Sequence, residues 1–229
     1  MRRVAVYAGT RRVYEMMACA AKSLLEHTRM DRVCFLIEDD LFPEELPEVI
    51  DTINVRGQQW FDTDGPNYES RWTYMTLIRL ALPEILADEA RVLWLDIDTI
   101  VEDDIGDLFD IDMTGNYVGM VREPPRCSNP FIYHNAGVML MNLDAIRADG
   151  VYGKWIRLVN TQPFTAPDQD AINIICQGEI LELPPEYNTA GVITQDTEEP
   201  LIRHYAGYLR GRGENVFRHY ANQKWRVIT

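Results

Sequence analysis

The stretch Arg91-Val-Leu-Trp-Leu-Asp-Ile-Asp-Thr-Ile-Val101 constrains this chain most. Val92 to Leu95 is a short apolar run bounded by charge, which predicts a buried strand. Asp96 and Asp98 fall where that strand ends, and strand alternation puts them on one face. Adjacent carboxylates repel, and burying them is costly unless something neutralises them. A divalent cation can do so, and hard oxygen ligands suit Mn2+ or Mg2+. The alternative is a solvated strand-to-loop turn.

The residues ahead of this stretch predict an α/β protein. Val4 to Ala8 reads as a strand, Gly9-Thr10-Arg11-Arg12 as a turn, Tyr14 to His27 as an amphipathic helix and Val33 to Ile37 as a second strand. That order predicts a parallel sheet with a crevice at the strand C-termini, where Gly9-Thr10 would sit. Neither G-x-G-x-x-G nor G-x-x-x-x-G-K-[ST] occurs, so the dinucleotide fingerprint and the P-loop are excluded. Ile53-Asn54-Val55 is a short strand candidate, and Arg71 to Ala87 has a helical pattern that Pro83 kinks or ends. Arg79 lies in the apolar part of that pattern. Buried there it needs an anionic partner, and otherwise it snorkels to the surface.

Tyr117 to Val121 reads as another strand. Asn135-Ala136-Gly137 reads as a small-residue turn feeding the strand Val138 to Met141. Leu143 to Val159 is mostly helical, interrupted near Gly150 and Gly153. Thr165 to Cys176 reads as a helix with Asp168, Gln169 and Asp170 at its start; an N-cap role accounts for one of the three. His204 follows a short apolar lead-in, as a metal ligand or a packed histidine. Arg210-Gly211-Arg212 reads as a flexible basic loop suited to phosphate.

Four motifs, in order, carry a resemblance: Leu95-Asp96-Ile97-Asp98, His134-Asn135-Ala136-Gly137-Val138, Asp168-Gln169-Asp170 and His204-Tyr205-Ala206-Gly207. Together they resemble the retaining glycosyltransferases of family 8, which include glycogenin-like and bacterial lipopolysaccharide galactosyl- and glucosyltransferases. The resemblance covers residues 4 to 212. It implies a GT-A fold, with a mixed, mostly parallel central sheet flanked by helices, and a single domain over residues 1–229. It implies transfer of a hexose from a nucleotide sugar, UDP-glucose or UDP-galactose, to an acceptor the sequence does not name.

The resemblance also distributes roles. It implies that Asp96, Asp98 and His204 hold Mn2+ or Mg2+. Arg79 and Glu123 would border the donor sugar, and Asn135, Ala136 and Gly137 would line its pocket. Asp168 would bond sugar hydroxyls, with Gln169 beneath the anomeric carbon. Ala8, Thr10 and Tyr14 fall in the family's nucleobase-binding region. Where the family often reads H-x-x-G-x-x-K-P-W, this chain has His204, Gly207, Arg210, Gly211 and Arg212, and Arg210 can replace the lysine as a phosphate clamp.

Two other readings use the same residues. Asp96-Ile97-Asp98 also matches the D-x-D core of the D-x-D-x-T motif of haloacid dehalogenase-like phosphatases, with Thr99 next to it and Ile100 at the motif's threonine position. That class needs a downstream lysine, for which Lys154 is the candidate, and it leaves Asn135-Ala136-Gly137 and His204 without roles. A nucleotide-sugar-binding protein without turnover is the non-enzymatic reading. The formal net charge of -14 argues against nucleic acid or an anionic membrane surface as partner. Cys19, Cys34, Cys127 and Cys176 have neither zinc-type nor redox-type spacing. No apolar run approaches a membrane span and the N-terminus lacks a signal-type apolar region, so a cytoplasmic location is expected.

Overall fold

The structure is a computed structural model that describes residues 2–69, 73–125, 132–191, 193–206 and 210–228, the side chains of 210–213 excepted. The chain begins with strand β1 (Val4–Ala8), a short 3-10 turn and helix α1 (Tyr14–His27), followed by β2 (Arg32–Ile37) and β3 (Ile50–Asn54). A 3-10 helix over Tyr74–Ala81 runs into α2 (Leu82–Ile85). Next come β4 (Arg91–Leu95), β5 (Thr99–Val101), a 3-10 turn at Gly106–Asp110, β6 (Val118–Arg122) and β7 (His134–Asn142). Three helices follow: α3 (Leu143–Ala148), α4 (Val151–Thr161) and α5 (Pro167–Ile175). Strands β8 (Ile180–Leu183) and β9 (Ile202–His204) and helix α6 (Arg210–Ala221) complete it.

Seven strands form one sheet in the order β3-β2-β1-β4-β7-β6-β8, and β5 pairs with β9 in a second. β3, β2, β1 and β4 run parallel; β7 is antiparallel to both β4 and β6, and β8 is parallel to β6. Burial on both faces explains the nearly unbroken apolar runs of β1, β2 and β4. In β1, Ala5 and Tyr7 pack into the core under α1, whereas Val4, Val6 and Ala8 face the core covered by α3, α4 and α5. The same alternation splits β4, with Leu93 and Leu95 on one side and Val92 and Trp94 on the other.

This topology fixes where a ligand can bind. From β1 the chain travels outward to β2 and β3, then returns to place β4 on the other side of β1. The connections leaving β1 and β4 diverge and open a crevice at their carboxyl ends. Ala8 and Asp96 stand at its two lips.

Four readings of the sequence change. The helical pattern from Arg71 is 3-10 from Tyr74 to Ala81 and α only from Leu82, with Pro83 in the first turn of α2, where a missing N–H is harmless. β3 begins at Ile50 and ends at Asn54, earlier than Ile53–Val55, because its register is set by pairing with β2. Asn135, Ala136 and Gly137 lie inside β7, not in a turn; β7 starts at His134 because β6 pairs there through a register shift at Met120/Val121. Arg210 opens helix α6 instead of sitting in a loop.

Candidate active site

Asp96 is the first residue beyond β4. Its N–H donates to Gly137 O at 2.7 Å, and its carbonyl accepts from Thr99 N at 3.1 Å and Thr99 Oγ1 at 2.7 Å. The turn therefore bends immediately into β5. Thr99 is paired with His204 across the β5–β9 ladder, and Tyr205 N donates to Asp98 O at 2.8 Å. Two strands too short to be stable alone thus clamp an acidic turn to a histidine. His204 Nε2 lies 3.2 Å from Asp98 Oδ1 and 3.8 Å from Asp96 Oδ2. The candidate donor atoms of the three residues lie within 4.8 Å of one another. Burial by itself would pull the His204 pKa down, but Asp98 and then Asp96 overcome it and hold the imidazole above its ordinary value.

Arg79 neutralises the other side. It is 3% exposed and makes four polar contacts. Its Nη2 donates to Asp96 Oδ1 at 2.8 Å, Nη1 to Ala136 O at 2.7 Å and Nε to Thr76 O at 3.0 Å. Nε also stands 3.1 Å from Asp168 Oδ2, and the guanidinium lies over the Trp94 ring at 4.4 Å. Trp94 Nε1 donates to the same Asp96 Oδ1 at 2.9 Å. Buried Arg79 therefore has its anionic partners. Burial pushes the Asp168 carboxyl up, Arg79 opposes that and Asp96 adds to it; the net direction is upward.

A third set of contacts runs through the side-chain amides. Gln169 Nε2 donates to Glu123 Oε1 at 2.9 Å, and Gln169 Oε1 accepts from Ala136 N at 2.9 Å. Asn135 Nδ2 donates to Glu123 Oε1 at 3.1 Å, and Asn135 Oδ1 accepts from Gly137 N at 3.0 Å. Asp170 latches the start of α5, accepting from Ala166 N at 3.0 Å and from the Tyr133 hydroxyl at 2.6 Å. Of the three polar residues at that helix start, Asp170 serves the fold, while Asp168 and Gln169 face the crevice.

The crevice is a cavity of about 400 Å³. Its wall includes Ala8, Thr10, Arg79, Asp96, Asp98, Asn135, Gly137, Asp168, Gln169 and His204, all singled out in the sequence. Glu123 and Ala136 stand behind the wall and touch it through Gln169, Asn135 and Arg79. Tyr14 is placed elsewhere: it is buried, with its hydroxyl donating to Asp39 Oδ2 at 3.0 Å and accepting from Glu38 N at 3.1 Å. Gly207 and Cys127, and the Arg210 side chain, lie outside the described residues. Trp94 was missed, although it sits two positions before Asp96 on the same strand face. Asn188 was also missed; it lies in an irregular segment and only long-range pairing brings it to the site.

The donor set fits a divalent cation: two carboxylates and one imidazole converge, and the cavity leaves room for further ligands. Gly137 is needed for this convergence. A Cβ there would stand against Cε1 of His204 and 2.6 Å from its Nδ1. No lysine is among the described residues lining the cavity, so the phosphatase arrangement finds no support.

Residues 5–209 match the sequence profile of Glycosyl transferase family 8. This chain belongs to that family. Among its relatives, the glycosyltransferase GlyE of Streptococcus pneumoniae is 25% identical over 99% of this chain, which spans 63% of GlyE's length. General stress protein A of Bacillus subtilis is 22% identical over 94% of this chain and 96% of its own. The galactosyltransferase LgtC, solved with donor and acceptor sugar analogues, superposes with a TM-score of 0.78 at 22% identity, covering 98% of this chain and 97% of LgtC. The fold is GT-A, as the sequence implied.

Proposed function

We propose that this chain transfers a hexose from a nucleotide sugar to an acceptor, with retention at the anomeric carbon. The observation that carries this is the shared cavity of Asp96, Asp98 and His204 with Arg79, Asp168 and Gln169. A cation-ligand set stands beside a group able to hold a neutral polyol, as a nucleotide sugar requires. Mn2+ or Mg2+ held by Asp96, Asp98 and His204 would supply Lewis-acid neutralisation of the departing diphosphate.

The residues of the chain divide the remaining work. Asp168 can accept bonds from sugar hydroxyls while Arg79 holds its carboxylate in place. Asn135 and Gln169 present amides whose orientation is fixed from behind by Glu123. Ala8 and Thr10 offer a narrow wall for a planar base. Gln169 cannot ionise and is a poor nucleophile, but its carbonyl dipole can stabilise positive charge developing at the anomeric carbon. Asp168 is tied to Arg79 and stands out of play as a nucleophile. The route this favours is front-face and ion-pair-like, without a covalent glycosyl-enzyme.

UDP-glucose and UDP-galactose are the donors to try first; GlyE and LgtC are named as a glycosyltransferase and a galactosyltransferase respectively. No helix among the described residues is long and apolar enough to cross a membrane. The test is calorimetric titration with each UDP-sugar, with and without Mn2+, for the wild type and Asp98→Ala. Metal-dependent donor binding that vanishes in the variant is the expected result. Failure of every nucleotide sugar, together with Mg2+-dependent hydrolysis of a simple phosphate ester, would overturn it.

A further inference from the structure

Asn188 is fully buried and touches both the imidazole of His204 and the amide of Asn135. Its surroundings determine which way each amide points. Asn135 sits between two groups of unambiguous character: the Gly137 backbone N–H, which can only donate, and the Glu123 carboxylate, which accepts its other end. The oxygen of Asn135 must therefore face Gly137 and its NH2 must face Glu123. Asn188 meets that same oxygen, at 2.9 Å, so it must present its NH2 there. The oxygen of Asn188 is then the atom 2.9 Å from His204 Nδ1. An amide oxygen only accepts, so Nδ1 must carry the proton. When the imidazole is neutral, the lone pair is on Nε2, the nitrogen facing Asp98 and Asp96.

The backbone holds Asn188 in this place. Its carbonyl accepts from the Thr194 hydroxyl, and its N–H donates to Pro185 O at 3.1 Å. The next residue, Thr189, is bound to β9 on both sides: Thr189 N donates to Ile202 O and His204 N donates to Thr189 O, each at 2.9 Å. Asn188 and His204 are thus laid side by side by main-chain pairing, whatever occupies the cavity.

We propose that Asn188 is a positioning residue that locks His204 in its Nδ1–H tautomer and so delivers Nε2 to the cation held with Asp96 and Asp98. Because Asn188 also grips Asn135, it couples the cation-holding side of the cavity to the amides of the sugar-holding side. The tautomer follows from the hydrogen bonds alone; the cation rests on the function proposed above. Carboxylates and carbonyls behind ligating histidines commonly act this way, and their loss typically weakens metal binding by roughly 10–100-fold.

The test has two readouts. Nitrogen-15 NMR of the metal-free wild type, at a pH where the His204 imidazole is neutral, should show Nδ1 protonated and Nε2 bare. Binding of Mn2+ alone, read by the EPR signal of free Mn2+, should weaken roughly 10–100-fold in Asn188→Ala. A dominant Nε2–H tautomer in the wild type overturns the lock even if Asn188→Ala fails to fold. Unchanged Mn2+ affinity in a folded Asn188→Ala overturns the delivery. If the wild type shows Nδ1–H but binds no Mn2+, the lock is upheld and the cation reading falls.

Discussion

The cavity has two walls of different character. One is made of Ala8, Gly9, Thr10 and Val13 at the end of β1: small, uncharged and shaped by the backbone. The other carries Asp96, Asp98, Asp168, Arg79 and His204, where nearly every polar atom already answers another. A glycine in each wall shows the difference. A Cβ at Gly9 would meet Val13 Cγ2 at 2.7 Å and Met17 Cε at 2.9 Å, the ends of side chains, one of them flexible. A Cβ at Gly137 would meet the imidazole of His204, which is held at both ring nitrogens. The first wall can yield to a change in shape. The second cannot change one member without stranding another.

Replacing Gly137 by Ala should break this contrast most severely. His204 must leave its place, and Mn2+ affinity should fall by more than about 100-fold, comparable to losing a ligand; calorimetry with Mn2+ alone reads it. Wild-type affinity in a folded Gly137→Ala would show that the charged wall is as forgiving as the other. Arg79→Met comes next. Removing the cation from between Asp96 and Asp168 leaves buried negative charge unpaired, at a cost of about 3–5 kcal/mol. Chemical denaturation measures it, and a loss under about 1 kcal/mol would mean the carboxylates rehydrate freely.

Stability against pH should sharpen the comparison further. In the metal-free protein His204 binds its proton more tightly than the unfolded chain does. Its contribution is therefore complete below the unfolded value, about 6.5, and is lost as pH climbs through the raised folded value. Mn2+ competes with that proton, so its affinity should rise over the same interval. Thermal unfolding in chelator across this range, compared with His204→Gln, isolates the effect; identical slopes in the two proteins would remove it. The smallest change is expected from Gly9→Ala, a loss of about 1–3 kcal/mol, because Met17 Cε can move aside while the stiffer Val13 must shift, and no charged group is stranded. A large loss of donor binding there would show that the quiet wall is as exacting as the charged one.

Legibility in the sequence followed the same divide between local and long-range causes. β1, α1, β2 and β4 could be read because apolar periodicity and burial agree there. Asp96 and Asp98 could be read because they follow such a strand directly. The 3-10 geometry of Tyr74–Ala81 could not: its apolar spacing suits an α-helix, and the contacts Arg79 makes with Asp96 and Asp168 there are long-range. Asn135–Gly137 carry small and polar residues that suggest a turn, yet pairing with β6 keeps the first of them in a strand. Asn188 had no local signal, since its position is set by the pairing of Thr189 with β9.

The pairing of β5 with β9 also orders events in time. Asp96 and Asp98 emerge from the ribosome long before His204, and for most of synthesis they are two carboxylates without the imidazole. His204 arrives only when β9, near the end of the described chain, docks antiparallel to β5. A cation bound by all three would therefore report that the last strand has been laid down. It would also tie β9 to the end of β4: amide exchange at Ile202–His204 should slow in step with cation occupancy, while the interior of β1 hardly responds.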